Sequence, residues 1–99
     1  MAGFIQIVEY STSRIDEIKD LAEKYREDRG DGGGPVRVSL TEDRDRPGTF
    51  RTIAEFDSYE KAMENSEHPS TQEFAAAMSQ FLDGPPTFYN LDLRERWDG

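Results

Sequence analysis

Apolar residues crowd Phe4-Ile5-Gln6-Ile7-Val8-Glu9-Tyr10, which is rich in β-branched and aromatic types and predicts a strand. Ser13 with Asp16 three residues on resembles a capping box, and Ile15, Ile18, Leu21, Ala22 and Tyr25 then recur at helical spacing over residues 14–28. Arg29 to Pro35 carries four glycines and reads as a flexible connection. Residues 36–42 alternate strictly, residues 43–48 form a charged turn, and residues 49–57 make a second strand of the same hairpin. Asp57-Ser58 caps a helical turn through Tyr59, Ala62 and Met63, which His68-Pro69 breaks. Ser70-Thr71-Gln72-Glu73 is a full capping box for a helix bearing Phe74, Ala75, Met78, Phe81 and Leu82. Gly84 is placed to end that helix, and residues 87–94 alternate once more.

The order strand, helix, strand, strand, helix, strand predicts one α+β domain over residues 1–99. Its four-stranded antiparallel sheet carries both helices on one face. Alternation then sorts side chains by face. One set is nearly all aliphatic: Ile5, Ile7, Val36, Val38, Leu40, Ile53, Leu91 and Leu93. It is expected under the helices. The other mixes rings with hydrogen-bonding groups, among them Phe4, Gln6, Tyr10, Arg37, Phe50, Phe56, Phe88, Asn90 and Asp92. That set is too apolar to stay wet, so it is expected to meet a second subunit, a small ligand or a single nucleic-acid strand. On this assignment Phe56→Asp drives the protein towards monomers.

Charge narrows the choice. Twenty-one acidic against twelve basic residues give a net charge of −9, which repels phosphate backbones and anionic lipid. Arg37 is the only base on the ring-bearing face, so RNA-type stacking lacks its cationic surround. No stretch approaches the ~20 apolar residues of a membrane span, and the first residues lack a signal-peptide layout, so a cytoplasmic location is expected. The absence of cysteine removes disulfides, thiolate metal sites and cysteine nucleophiles. The glycine run follows a helix and precedes a strand, with no Lys-Ser or Lys-Thr pair, so it is a linker and not a phosphate cradle.

The element order, the two-faced sheet and the segment Phe56-Asp57-Ser58-Tyr59-Glu60-Lys61-Ala62 through Ser70-Thr71-Gln72-Glu73-Phe74 resemble the dimeric α+β barrel superfamily, with its ferredoxin-like βαββαβ protomer. Within it the chain is most similar to antibiotic biosynthesis monooxygenase-like proteins. The ending Asp83 to Asp92 looks like a subgroup of uncharacterised actinobacterial proteins. The resemblance implies a homodimer with facing sheets and a pocket between sheet and helices in each subunit. It also implies cofactor-free oxygenase-like or isomerase-like chemistry on a small aromatic or polyketide-type ligand. A non-catalytic ligand-binding or accessory homodimer is the alternative. Haem-degrading relatives place Asn, Trp and His around porphyrin; here His68 precedes its helix and Trp97 lies in the tail, so haem is not expected.

Candidate chemistry follows from these placements. His68 is the only histidine, able to move protons near neutrality, and it equally suits a solvated connection. Glu64 lies four residues earlier, but two ligands do not make a metal site, and no metal is expected. Tyr89 and Asn90 join His68 as the candidate catalytic set, since Asn and Tyr donors suit an enolate or phenolate. Tyr10, Arg37, Phe50, Phe56, Phe88 and Asp92 are assigned to a pocket or dimer face. An enclosed cavity with His68 at its mouth supports an enzyme; a filled interior with paired polar groups supports the accessory reading.

Overall fold

The computed structural model describes residues 3–30 and 34–97. Strands β1 (Phe4–Ser11), β2 (Arg37–Glu42), β3 (Thr49–Phe56) and β4 (Thr87–Asp92) form one antiparallel sheet in the order β2-β3-β1-β4. Helices α1 (Ile15–Arg29), α2 (Tyr59–Glu67) and α3 (Pro69–Ser79) pack on one side of it. The expected α+β architecture is present, with three helices where two and a turn are predicted. The segment over Tyr59, Ala62 and Met63 is a nine-residue helix, opened by the Ser58 hydroxyl accepting from the Lys61 amide.

Local caps differ from the sequence reading in instructive ways. Arg14, not Ser13, is the N-cap of α1, and the Arg14 amide donates to the Thr12 hydroxyl, whose own proton goes to the Phe81 carbonyl. Ser70 does not cap α3. His68 does, its Nδ1 accepting from the Ser70 amide at 3.1 Å, and Pro69 takes the first helical position, where its missing N–H costs nothing. Gly84 lies beyond the end of α3 in a later turn with φ +130. Asp31, Gly32 and Gly33 of the expected linker fall outside the described residues.

Cross-strand register defines the two faces. Phe4 pairs with Phe56, Gln6 with Ala54, Val8 with Thr52 and Tyr10 with Phe50, so these residues share one side. That side is the one the helices cover. Tyr10 and Phe50 stack at 6.1 Å and pack with Ile18 of α1 and Met78 of α3. Phe4 and Phe56 pack with Ala62 of α2. The face assignment from sequence is therefore reversed: Tyr10, Phe50 and Phe56 lie in the core of the chain, and Ile5, Ile7, Ile53 and Leu91 look away from the helices. Alternation sorts residues into two sets but does not say which set the helices take.

Strand β2 also runs in the opposite phase to the one assumed. Val38 pairs with Ala54 and Leu40 with Thr52, which puts them on the helix side and leaves Arg37, Ser39 and Thr41 on the open side. The hairpin turn sets this phase, with the Asp43 amide donating to the Thr49 carbonyl at 2.8 Å. Asp43 also collects the Asp45 amide, Arg51 and Arg46, which together hold its carboxyl below the usual range.

Phe56 is 4% exposed in the α2 cluster, so Phe56→Ala should lower unfolding free energy by about 3–5 kcal/mol in a denaturant titration. Phe56→Asp should unfold the protomer; a folded, monomeric Phe56→Asp protein would return this residue to an interface.

Candidate functional site

The helix side of the sheet is not uniformly apolar. Its core divides into a Tyr10–Phe50–Ile18–Met78 cluster at one end and a Phe4–Phe56–Ala62 cluster at the other. Between them runs the row Val38, Ala54, Gln6, Asn90, read across all four strands. Gln6 Nε2 donates to Asn90 Oδ1 at 3.1 Å. Next to this row the Tyr10 hydroxyl meets Thr52 Oγ1 at 2.9 Å. The result is a strip of amides and hydroxyls flanked by rings at both ends.

The helices cover the two central strands and leave the outer strands open on this side. Val38 and Leu40 stay exposed on β2, and Phe88 is 57% exposed on β4. An aromatic ligand laid along the polar row would meet apolar surface on either flank, the usual composition of a small-molecule site. Burial pushes the Tyr10 phenol above its ordinary value of 10.0, against the opposing pull of the Thr52 hydrogen bond. Tyr10 therefore keeps its proton at neutral pH.

The expected site residues separate into three places. Tyr10, Phe50, Phe56, Phe88, Asn90 and Asp92 share the helix side. Arg37 and Tyr89 lie on the opposite face, Arg37 facing Glu55 and Tyr89 paired with Ile7. His68 joins α2 to α3: its N–H donates to the Asn65 carbonyl, its own carbonyl accepts from Thr71 and Gln72, and its Nδ1 caps α3. Its bonds are those of a structural corner. Among the described residues no group of three metal-ligating side chains occurs, so Glu64 and His68 have no third partner there.

A second polar cluster is absent from the sequence reading. Asn65 is 8% exposed, and its Oδ1 accepts from the Tyr25 hydroxyl and from Arg29 Nε, each at 3.1 Å. Tyr25 also meets Thr71 Oγ1 at 2.8 Å and stacks on Phe74 at 5.1 Å. This cluster ties α1 to α2 and α3. A signal for it exists: Ala62 and Asn65 stand three apart on one helix face, so an apolar stripe carries an amide where it turns inward. Gln6, in the middle of a central strand, is the corresponding signal for the polar row.

No protein-family model matches the chain, and no curated protein matches it. Solved structures do. A proposed antibiotic biosynthesis monooxygenase from Caulobacter crescentus CB15 superposes with a TM-score of 0.81 at 14% identity, covering 95% of this chain and 92% of that one. Rv0793 from Mycobacterium tuberculosis gives 0.78 at 14% identity over 97% and 99%. A single-residue variant of SnoaB, a cofactor-independent oxygenase from Streptomyces nogalater, gives 0.72 at 14% identity over 97% and 95%. The chain has the ferredoxin-like α+β fold of these antibiotic biosynthesis monooxygenase-like structures.

A raised phenol pKa carries a sign. The folded protein holds the Tyr10 proton to higher pH than the unfolded chain, so this contribution to stability is full below about pH 10 and is lost as pH rises through the folded value. Denaturant midpoints followed from neutrality to alkaline pH should fall less steeply in Tyr10→Phe than in the unchanged protein. Equal slopes would show that Tyr10 titrates as an ordinary phenol.

Proposed function

We propose that this chain is a homodimer whose copies meet through their open sheet faces, and that each copy binds a small aromatic, polyketide-type ligand over the polar row. The chemistry proposed there is cofactor-free and of monooxygenase-like or isomerase-like type. The observation that carries the ligand site is the Gln6–Asn90 and Tyr10–Thr52 strip set between two ring clusters. Amide and hydroxyl groups gathered on one strip suit a ligand whose oxygen gains negative charge as an enolate or phenolate. Of the candidate set His68, Tyr89 and Asn90, Asn90 is the member on this strip. The likeness to SnoaB supports the oxygenase form.

The open face supports the dimer. Its middle row is Ser39, Ile53, Ile7 and Tyr89, and Ile5 and Leu91 extend the apolar area. Arg51 bonds Glu9 at 2.8 Å on one side of this stripe, and Glu55 is held by Arg37 and Arg96 on the other. A chain of net charge −9 thus presents a face on which charges are paired, the apolar-centre and polar-rim pattern of a protein interface. At low micromolar concentration, light scattering should report twice the 11.3 kDa chain mass, and Ile53→Asp should reduce it to the monomer. An unchanged dimer in Ile53→Asp would remove the open face from the interface.

A second reading, a non-catalytic ligand-binding or accessory dimer, is favoured by a different observation. Tyr10, Phe50, Ile18 and Met78 fill the space beneath α1 and α3, and the strip's donors already hold partners. Titration with 1,8-dihydroxyanthrone, followed by absorbance and by an oxygen electrode, separates the two. Binding with oxygen uptake, both lost in Asn90→Ala, is the enzymatic outcome. Binding without uptake removes the monooxygenase form and leaves the isomerase-like and accessory forms, which an unchanged ligand spectrum or a shifted one then separates, and no binding at millimolar ligand would overturn the site itself.

A further inference from the structure

A primary amide has two halves, an oxygen that accepts and a nitrogen that donates. Gln6 and Asn90 stand opposite each other on β1 and β4, and their bond runs from Gln6 Nε2 to Asn90 Oδ1. That bond has a direction. It commits the Asn90 oxygen to Gln6 and leaves the Asn90 nitrogen and the Gln6 oxygen as the halves not spent on each other. Among the described residues neither of these two atoms has a protein partner, and Asn90 is exposed while Gln6 is half-buried. One donor and one acceptor therefore stand side by side at the open edge of the strip.

Their surroundings say what the pair would meet. Phe88 precedes Asn90 by two residues on the same side of β4, with Val8 opposite it, and its ring is 57% exposed. A flat ligand stacked on Phe88 brings its polar edge to the two amides. Asp92 follows Asn90 by two residues on that side and is also exposed. A carboxylate there, in a chain of net charge −9, opposes a ligand that arrives as an anion. The ligand's hydroxyl thus arrives with its proton, as a donor, and its carbonyl arrives as an acceptor.

We propose that Gln6 and Asn90 together read a neutral hydroxy-ketone edge: Asn90 Nδ2 donates to the ligand carbonyl, and Gln6 Oε1 accepts from the neighbouring hydroxyl. Gln6 sets specificity twice over. It supplies the acceptor, and its Nε2 bond holds the Asn90 amide with the nitrogen towards the ligand. A ketone without the hydroxyl satisfies one half only, and takes water from the Gln6 oxygen without replacing its bond. The inference rests on the ligand site proposed over the polar row. It narrows the ligand from aromatic compounds at large to those with a hydroxyl beside a ketone.

The test compares 1,8-dihydroxyanthrone with anthrone, which lacks the hydroxyls flanking the carbonyl, under argon so that no oxygen chemistry intervenes. Binding is followed by titration and by the side-chain amide signals of protein labelled with nitrogen-15, those of Asn90 being identified by their loss in Asn90→Ala. The unchanged protein should bind the hydroxylated ligand about five- to tenfold more tightly, the scale of one hydrogen bond, and both ligands should move the Asn90 signals. Gln6→Leu should abolish the preference. In Gln6→Glu the new carboxylate accepts from the Asn90 nitrogen and turns that amide round. The Asn90 signals should then be shifted before ligand is added, and both ligands should bind about tenfold more weakly. Equal affinity for the two ligands in the unchanged protein, or a preference that survives Gln6→Leu, would overturn the reading of the edge and leave the ligand site standing. Binding of neither ligand at millimolar concentration would overturn both.

Discussion

The antiparallel pairing of β1 with β3 decides most of how this chain is built. Opposing Phe4 to Phe56 and Tyr10 to Phe50 places four rings on one side of the two central strands, a pair at each end. No single helix covers both ends, so α1 and α3 lie over one pair and α2 over the other. The gap between the two coverings falls on Gln6 and Asn90. The polar strip is thus a by-product of how the rings are spaced along β1, and the candidate site inherits its position from the core.

Holding three helices over a sheet in two clusters needs more than apolar contact, because the core contains only seven buried apolar side chains among the described residues. The Asn65 cluster supplies the rest. One carboxamide oxygen, removed from water, accepts from α1 twice, and the Tyr25 hydroxyl adds a contact to Thr71 on α3. Buried hydrogen bonds contribute about 1 kcal/mol each when made and cost more when one partner is removed. Their larger effect here is geometric: they fix the angle at which α1 meets the α2–α3 corner. On the far side of the sheet half-buried ion pairs, including Arg51 with Glu9 and Asp43, leave that face without unpaired charge.

The strands, the first helix and the hairpin are legible in the sequence because period and punctuation agree there: alternation bounded by Gly48 and the charged turn, or helical spacing bounded by glycines. The side of the sheet that the helices take is not legible. Ile5, Ile7 and Ile53 satisfy the same pattern as Phe4, Tyr10 and Phe56, and only the volume under a helix tells them apart. Strand β2 shows the companion failure: grouping Val38 and Leu40 with the other aliphatics ignores the turn, whose Asp43–Thr49 bond sets the phase. Of the candidate site, Gln6, Tyr10 and Asn90 are readable as polar members of strands, but the pairings Gln6–Asn90 and Tyr10–Thr52 emerge only from register. His68 illustrates the opposite error. A lone histidine invites a catalytic reading, and its ring is occupied as the cap of a helix.

That cap has a consequence for how the chain assembles. His68 ends α2 and begins α3 in a single extended residue, with no loop between the two helices. A helix normally nucleates on its own, at the cost of fixing several dihedrals before its first bond repays it. Here one residue with φ −67 and ψ 135 sets the boundary of both, so ordering that corner lowers the nucleation cost of two helices at once. The corner has no slack to absorb an inserted residue. A residue inserted there would displace α3 relative to α2 and move Met78 off the rings it covers.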